Sequence, residues 1–425
     1  MKSRNATLFF LVLLNVLNMV DRNLLSAFAP QISADLELSD TQFGLLTGLL
    51  FVTFYSVMGL FMGSLADRFN RPRLMAFGIA LWSIMTAYTG MARNFLQVAL
   101  ARMMIGVGES TLTPAAMSML SDIFPPAKRG FASGIYYLGV PLGAGASYVV
   151  ASVLGPQIGW RNCFFVLGAI GVVLALVLLF FRDPPRGGQD EQLSNADAIE
   201  VTRLRDSLSL MIRAMRERPA LAFAMLGAIF FHIPIGAGQF AILWLVRERG
   251  FTETEITGVY GLLFIVVGTL GSILGGVLSD WYNARYKGGR ARFLAFMLLA
   301  IAPFIAAYRW SAPDSPLFWL GMGSGFLMLV VFYGPTFSTV QDLSPPKLRG
   351  VMTAFLLLSC NLLGLGFGAV LTGVLSDSLS ANGVSNPLTW SLITTDVLSM
   401  FAMPCFFMAS IYIERMKGEG KLARH

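Results

Sequence analysis

Twelve stretches of about 20 mostly apolar residues run through this chain, and each is long enough to cross a bilayer as a helix. They lie near 7–28, 43–63, 74–92, 95–120, 131–153, 161–181, 219–246, 256–279, 292–309, 316–340, 350–375 and 389–413. A backbone in lipid must satisfy its own hydrogen bonds, so such a chain folds as a bundle of helices. Charged residues make up 13% of the 425, against about 25% in soluble domains, too few to clothe a water-facing surface. The pattern predicts an all-α membrane protein of twelve transmembrane helices in two six-helix, pseudo-symmetric bundles. These occupy 1–181 and 219–425, and a polar cytoplasmic linker over 182–218 joins them.

Basic residues set the orientation. One face, which carries both termini, holds 24 Lys and Arg; the other holds five, Arg93, Arg161, Arg247, Arg249 and Arg309. Both termini are therefore expected in the cytoplasm, and the net charge of +7 reflects this asymmetry instead of a nucleic-acid surface. Lys2, Arg4, an apolar run and Ala27-Phe28-Ala29 imitate a secretory signal with its cleavage site. Asp21-Arg22 interrupts that region and the repeat described next needs span 1, so its retention is expected.

The two halves echo each other. Ser39-Asp40-Thr41-Gln42 precedes span 2 and Thr252-Glu253-Thr254-Glu255 precedes span 8, both fitting a capping box, at an offset of 213. Gly63-x-x-x-Asp67 and Gly276-x-x-x-Asp280 share that offset. PPAKRG (125–130) and PPKLRG (345–350) are offset by 220, and Gly143-x-Gly145 and Gly364-x-Gly366 by 221. Four matches in register indicate duplication, and repeated halves of this kind are an architecture of secondary transporters. Within the linker, Ile199, Leu204, Leu208, Met211 and Met215 fall near helical spacing among Arg203, Arg205, Arg213 and Arg216. That suits either a basic amphipathic helix on the cytoplasmic leaflet or a solvated connector.

Five charged residues lie well inside spans: Asp21, Arg22, Arg102, Glu109 and Asp396. A charge at mid-bilayer costs about 2.5–3.5 kcal/mol on insertion scales, which makes such residues candidates for function. Asp21 and Arg102 each stand seven residues, about 10 Å, from the same surface, so they can meet if spans 1 and 4 adjoin. Glu109 follows Arg102 by two turns and shares its face. Static salt bridges are the plain alternative, but buried ion pairs stabilise poorly compared with apolar packing. Burial disfavours a carboxylate's charge and a neighbouring cation favours it, so a carboxylate moving between those settings can load and release a proton. Asp21 and Glu109 are the candidates for that role.

The second half differs. The counterpart of Asp21 is Pro234, in HIPIGAGQ (232–239), which should break or kink span 7. His232 there reads as a satisfied or cavity-facing histidine before it reads as a proton site. Spans 10 and 11 are apolar with scattered polar groups such as Tyr333, Gln341 and Asn361. Charge on one wall and grease on the other suits an amphipathic anion. Arg22, Arg102, Asn18, Gln239 and Asn361 are the candidate substrate contacts. Cys163, Cys360 and Cys405 lack metal-ligand spacing, and with only two histidines, His232 and His425, no metal or cofactor is expected.

Gly63-Ser64-Leu65-Ala66-Asp67-Arg68-Phe69-Asn70-Arg71-Pro72-Arg73 resembles the signature loop of the major facilitator superfamily, and Arg102-x-x-x-Gly106-x-Gly108 resembles its proton-linked motif. More narrowly, NVLNMVDRNLL (15–25), ADRFNRP (66–72), GVGES (106–110) and YYLGVPLGAGASY (136–148) look like the Spinster group. That resemblance implies carriage of lysophospholipids or sphingosine-1-phosphate-like lipids, with proton coupling. It implies a cytoplasmic gate containing Gly63, Asp67, Arg68 and Arg71, with Asp280 as its second copy. It also places Asp21, Arg22, Arg102 and Glu109 on the polar part of a cavity. Asn70 stands where the superfamily usually has Gly, and Pro72 where it usually has a base.

The leading expectation is a proton-coupled secondary transporter, monomeric, in a bacterial inner membrane, working on a small molecule or lysolipid and protons. The anion:cation symporter group also carries an Asp-Arg near the end of span 1, so sugar acids or carboxylates are the alternative substrates. A membrane-embedded lipid-modifying enzyme or a receptor is the alternative of a different class. The loops carry no His-x4-Asp, His-Glu-x-x-His or Gly-x-Ser-x-Gly, and no enzyme is expected.

Overall fold

The computed structural model describes residues 4–186, 204–345 and 348–418. Span 1 is Arg4–Ala27, followed by a short helix, Ala29–Asp35; span 2 is Asp40–Arg68, interrupted at Gly48; span 3 is Arg71–Met91. Span 4 comprises Phe95–Glu109 and Leu112–Ile123, span 5 is Pro126–Val153 and span 6 is Gly155–Leu178. Spans 7 to 12 are Pro219–Arg247, Glu253–Arg285, Gly289–Trp310, Pro316–Leu343, Arg349–Ala381 and Pro387–Gly418. Among the described residues, eleven helices are long and apolar enough to cross a membrane, and divided span 4 makes the twelfth crossing. The protein is an all-α, multi-pass membrane protein.

Prolines divide several spans. Helical segments end at Glu109, Tyr137, Val331 and Ser399, shortly before Pro114, Pro141, Pro335 and Pro404. A proline offers no N–H to the carbonyl four residues earlier, which here belongs to Ser110, Tyr137, Val331 or Met400, and its ring crowds that carbonyl. In span 7 the break expected at HIPIGAGQ occurs, but later than Pro234: the helix holds to Ala237, turns as a tight three-residue helix at Gly238–Phe240, and resumes at Ala241. Span 11 widens into a π-helical segment at Cys360–Gly366, which periodicity did not foretell.

The caps behave as chemistry requires. Ser39 forms the full capping box: Gln42 N donates to Ser39 Oγ at 3.2 Å, and Ser39 N donates to Gln42 Oε1 at 3.1 Å. Its second-half counterpart differs, because the Thr252 hydroxyl donates to Glu255 Oε2 at 2.5 Å. Asn70 and Pro72, the two departures in the signature loop, are explained locally. Asn70 Oδ1 accepts from Arg73 N at 3.1 Å as the N-cap of span 3, and Pro72 occupies the first turn, where a missing N–H costs nothing.

Two compact units emerge. The first contains spans 1 to 6 together with Gln239–Ile265; the second contains the remainder of span 7 and the chain from Val266. In the first, span 1 packs on span 5 and span 3 on span 6; in the second, span 7 packs on spans 11 and 12 and span 9 on span 10. Small residues permit these approaches. A Cβ on Gly143 would meet Val16 O and Met19 Cβ of span 1, and a Cβ on Gly364 would meet Ile229 O and His232 Cβ of span 7. Val16 and Met19 are the counterparts of Ile229 and His232 at offset 213, so the duplication extends to individual contacts.

Ile199 and Arg203, expected in a linker helix, lie outside the described residues. Leu204–Glu217 is helical. At its end Met211 and Ala214 are buried in the core of the second unit and Met215 packs against it, while Arg213 and Arg216 are exposed. The apolar face there is covered by protein, and Arg218 Nη1 ties the following turn to Leu343 O at 2.6 Å.

Candidate functional site

The first unit gathers the buried charges. Asp21, Arg102 and Glu109 are 2%, 3% and 1% exposed, well inside apolar helices. The Arg22 guanidinium donates to Glu109 Oε2 twice, from Nη2 at 2.8 Å and from Nε at 3.1 Å. Their matching depth allowed Asp21 and Arg102 to meet, but among the described residues the two form no direct ion pair. Asp21 instead faces span 3, where Thr86 Oγ1 lies 2.5 Å from its Oδ2 and 2.9 Å from Trp82 O. Arg102 Nε donates to Leu46 O at 3.2 Å. That carbonyl lies in the last turn before the Gly48 break, where helix carbonyls lack their usual donors.

Aromatic rings complete the site. The Phe51 ring centroid is 5.0 Å from Arg22 Cζ and 4.6 Å from Arg102 Cζ, and Tyr55 lies 4.5 Å from Arg22 Cζ. Phe51 and Tyr55 stack at 5.7 Å. Asn18 sits beside Glu109. Among the described residues, Asp21 Oδ1 is buried without a hydrogen-bond partner. Thr86, Phe51 and Tyr55 escaped the sequence reading because a neutral residue in an apolar span carries no signal of its own.

Gln239 belongs to the first unit, where its Oε1 accepts from Ser26 Oγ at 2.5 Å. These positions are 213 residues apart, the offset of the repeat, so each meets its own counterpart. Around this contact Arg247 pairs with Asp40 at 2.8 Å, Ser152 Oγ donates to Thr254 O at 2.7 Å, and the rings of Phe43 and Phe240 lie 5.1 Å apart. Asn361 is half-buried in the π-helical segment of the second unit.

The candidate gate residues divide between the units. Arg71 is fully buried: Nε donates to Asp183 Oδ1 at 2.7 Å, Nη2 to Pro184 O at 2.6 Å and Nη1 to Ser118 Oγ at 3.0 Å, with Asp122 as a further partner. Asp67 and Arg68 are exposed, and open space surrounds the position of a Cβ on Gly63. The Arg186 guanidinium caps the end of span 2 at Ala66 O and Phe69 O, both at 2.9 Å. In the second unit Arg290 bridges Asp280 and Asp342, each at 2.9 Å. Asp122 and Asp342 each stand three residues before the first proline of a Pro-Pro pair, a repeat signal that was available and missed.

His232 is buried, with Nδ1 2.8 Å from Ala228 O and its ring edge-on to Phe332 and Tyr333. Asp396 has a partner the sequence did not suggest, since Arg309 Nε reaches its Oδ2 at 2.7 Å. The three cysteines are buried and free, and among the described residues no group of His, Cys, Asp and Glu could hold a metal.

Twelve helices with duplicated halves and a cluster of ionisable side chains inside one of them define a membrane transporter. The Major Facilitator Superfamily model matches residues 11–369, and the chain belongs to that family. It is Spinster-like, as its relatives show. It is 28% identical to human protein spinster homolog 1, over 96% of this chain and 81% of the relative. An MFS-type efflux pump of Mycolicibacterium smegmatis is 29% identical, over 95% and 92% of the two chains. The crystal structure of a bacterial homologue of the human lysosomal transporter Spinster, inward-facing and unoccupied, matches with a TM-score of 0.85 and 27% identity over 98% of both chains. Homologues of this kind are transporters and not enzymes, and so is this chain.

Proposed function

We propose that the protein is a proton-coupled carrier of an amphipathic anion, a lysophospholipid or a sphingosine-1-phosphate-like lipid, working by alternating access. The observation that carries this reading is the cluster of two buried carboxylates, Asp21 and Glu109, beside two guanidiniums, in which Asp21 Oδ1 has no hydrogen-bond partner among the described residues. Buried polar atoms normally find partners, so an unpartnered carboxylate oxygen beside two cations suits an occupant that comes and goes. With both carboxylates ionised, Asp21, Glu109, Arg22 and Arg102 sum to zero charge. An anionic headgroup that displaces Glu109 from Arg22 leaves that carboxylate buried without its cation. A proton on Glu109 then restores neutrality, one proton for each negative charge brought in. Asp21 serves as a second store: the single Thr86 proton faces two acceptors, and a proton on Asp21 satisfies both contacts.

The lipid character of the substrate rests on the resemblance to the Spinster group and on the aromatic cluster of Phe231, Phe332, His232 and Tyr333 in the second unit. Asn18, Gln239 and Asn361 supply further polar contacts. Gly63, Asp67, Arg68, Arg71 and Asp280 act as the gate. Lys and Arg asymmetry supports a cytoplasmic position for both termini, and a bacterial inner membrane and a monomeric carrier belong to the same reading.

The test is transport in liposomes under an imposed pH gradient, with lysophospholipid, sphingosine-1-phosphate and a sugar acid as substrates. The Asp21→Asn, Glu109→Gln double variant should bind lipid yet fail to accumulate it. Accumulation by that variant would remove proton coupling from the reading, and uptake of the sugar acid alone would transfer the assignment to organic anions.

A further inference from the structure

Arg102 and Arg22 are held in different ways. Arg22 is paired with a carboxylate, whereas Arg102, 3% exposed, forms no ion pair among the described residues. Its contacts are the Leu46 carbonyl and the face of Phe51, neither of which carries a net negative charge. A buried cation without a carboxylate in direct contact is costly, and other groups must help to support it. An aromatic ring does so through its quadrupole, most effectively where water is excluded.

We propose that Phe51 is a positioning residue that supports Arg102 as a buried cation outside any direct ion pair, so that its charge remains available to an anionic headgroup. A carboxylate at this place would hold the guanidinium equally well and compete with the substrate. The ring holds it and does not compete. The backbone sets the arrangement: a Cβ on Gly106 would meet Phe51 O, so spans 2 and 4 nearly touch one turn beyond Arg102. The same ring lies 5.0 Å from Arg22, and Tyr55 stacks on it, so the platform is shared by both cations.

The inference rests on the anionic-substrate reading, and the experiment separates the two. Phe51 is replaced in the full chain by mono-, di- and trifluorinated phenylalanine, which drains the ring's negative face with little change in size. Binding of lysophosphatidic acid and of the uncharged monoacylglycerol of equal chain length is measured for each form. The proposal expects a stepwise loss of lysophosphatidic acid affinity, about tenfold across the series, with monoacylglycerol unaffected. Phe51→Tyr should retain affinity. Equal affinity across the series, or parallel loss of both ligands, overturns the proposal. A native chain that ignores lysophosphatidic acid overturns the anion reading instead. The decision on Phe51 then falls to ligand-free thermal unfolding of the same series with Arg102 and with Arg102→Met. A fluorine-dependent loss only with Arg102 supports the ring–cation contact, and identical series overturn it.

Discussion

In the first unit Gly143 brings span 5 against Val16 and Met19 of span 1; in the second, Gly364 brings span 11 against Ile229 and His232 of span 7. The helix contact is the same and the chemistry beside it is not. Two and three residues beyond Met19 come Asp21 and Arg22, committed to Thr86 and Glu109. Two and three residues beyond His232 come Pro234 and Ile235, and His232 itself spends Nδ1 on its own helix. Packing tolerates little change in volume or backbone approach, so small residues persist in both copies. Polar positions that do not determine packing are free to diverge, and the charges collect on one side only.

The sharpest break in this comparison is Arg22→Ala. It leaves Glu109 buried and unpaired, so stability should fall by about 3–5 kcal/mol and transport should cease. Arg22→Met with Glu109→Gln should recover most of the stability in thermal unfolding while transport stays absent. Recovery of both would demote the pair to a structural pin.

The loop after span 2 and its copy after span 8 offer a second contrast. Arg71 is fully buried among Asp122, Asp183 and Ser118, whereas the Asp280 and Asp342 side chains that hold Arg290 are 66% and 62% exposed. Arg71→Ala should cost about 3 kcal/mol or more, and Arg290→Ala at most about 1 kcal/mol. Equal losses in denaturation midpoints would contradict this.

Gly143→Ala and Gly364→Ala should destabilise the chain to a similar degree, by about 1–3 kcal/mol each, because both would collide with a carbonyl and a Cβ of the neighbouring helix. A large difference would mean that the duplicated contact is not equally stressed. The smallest effect belongs to His232→Gln, which should leave the pH profile of transport unchanged and lower stability by no more than about 1 kcal/mol. Loss of proton-driven transport in that variant would place coupling chemistry in both units.

Much of this organisation is legible in the sequence, for physical reasons. Span length follows from bilayer thickness, and the prolines announce where helices divide. What escaped was azimuth. Seven residues of depth fix the height of Asp21 and Arg102, but adjacent residues on a helix point about 100° apart. Height alone could not tell whether Asp21 or Arg22 would face span 4. Neighbouring helices decided, turning Asp21 toward span 3 and Arg22 toward Glu109. Asp396 was unassigned because Arg309, at the far end of span 9, reads as a surface residue until the fold brings the two together.

The hydrogen bond from Ser26 to Gln239 joins a position to its own copy. In a pair of identical six-helix chains, a position that met its own copy would have to satisfy itself. One residue type would have to serve as donor and acceptor at once, as in any isologous interface. Fusion into a single chain lifts the restriction. Here a hydroxyl donor faces an amide oxygen, an unequal pair that two identical subunits could not have supplied.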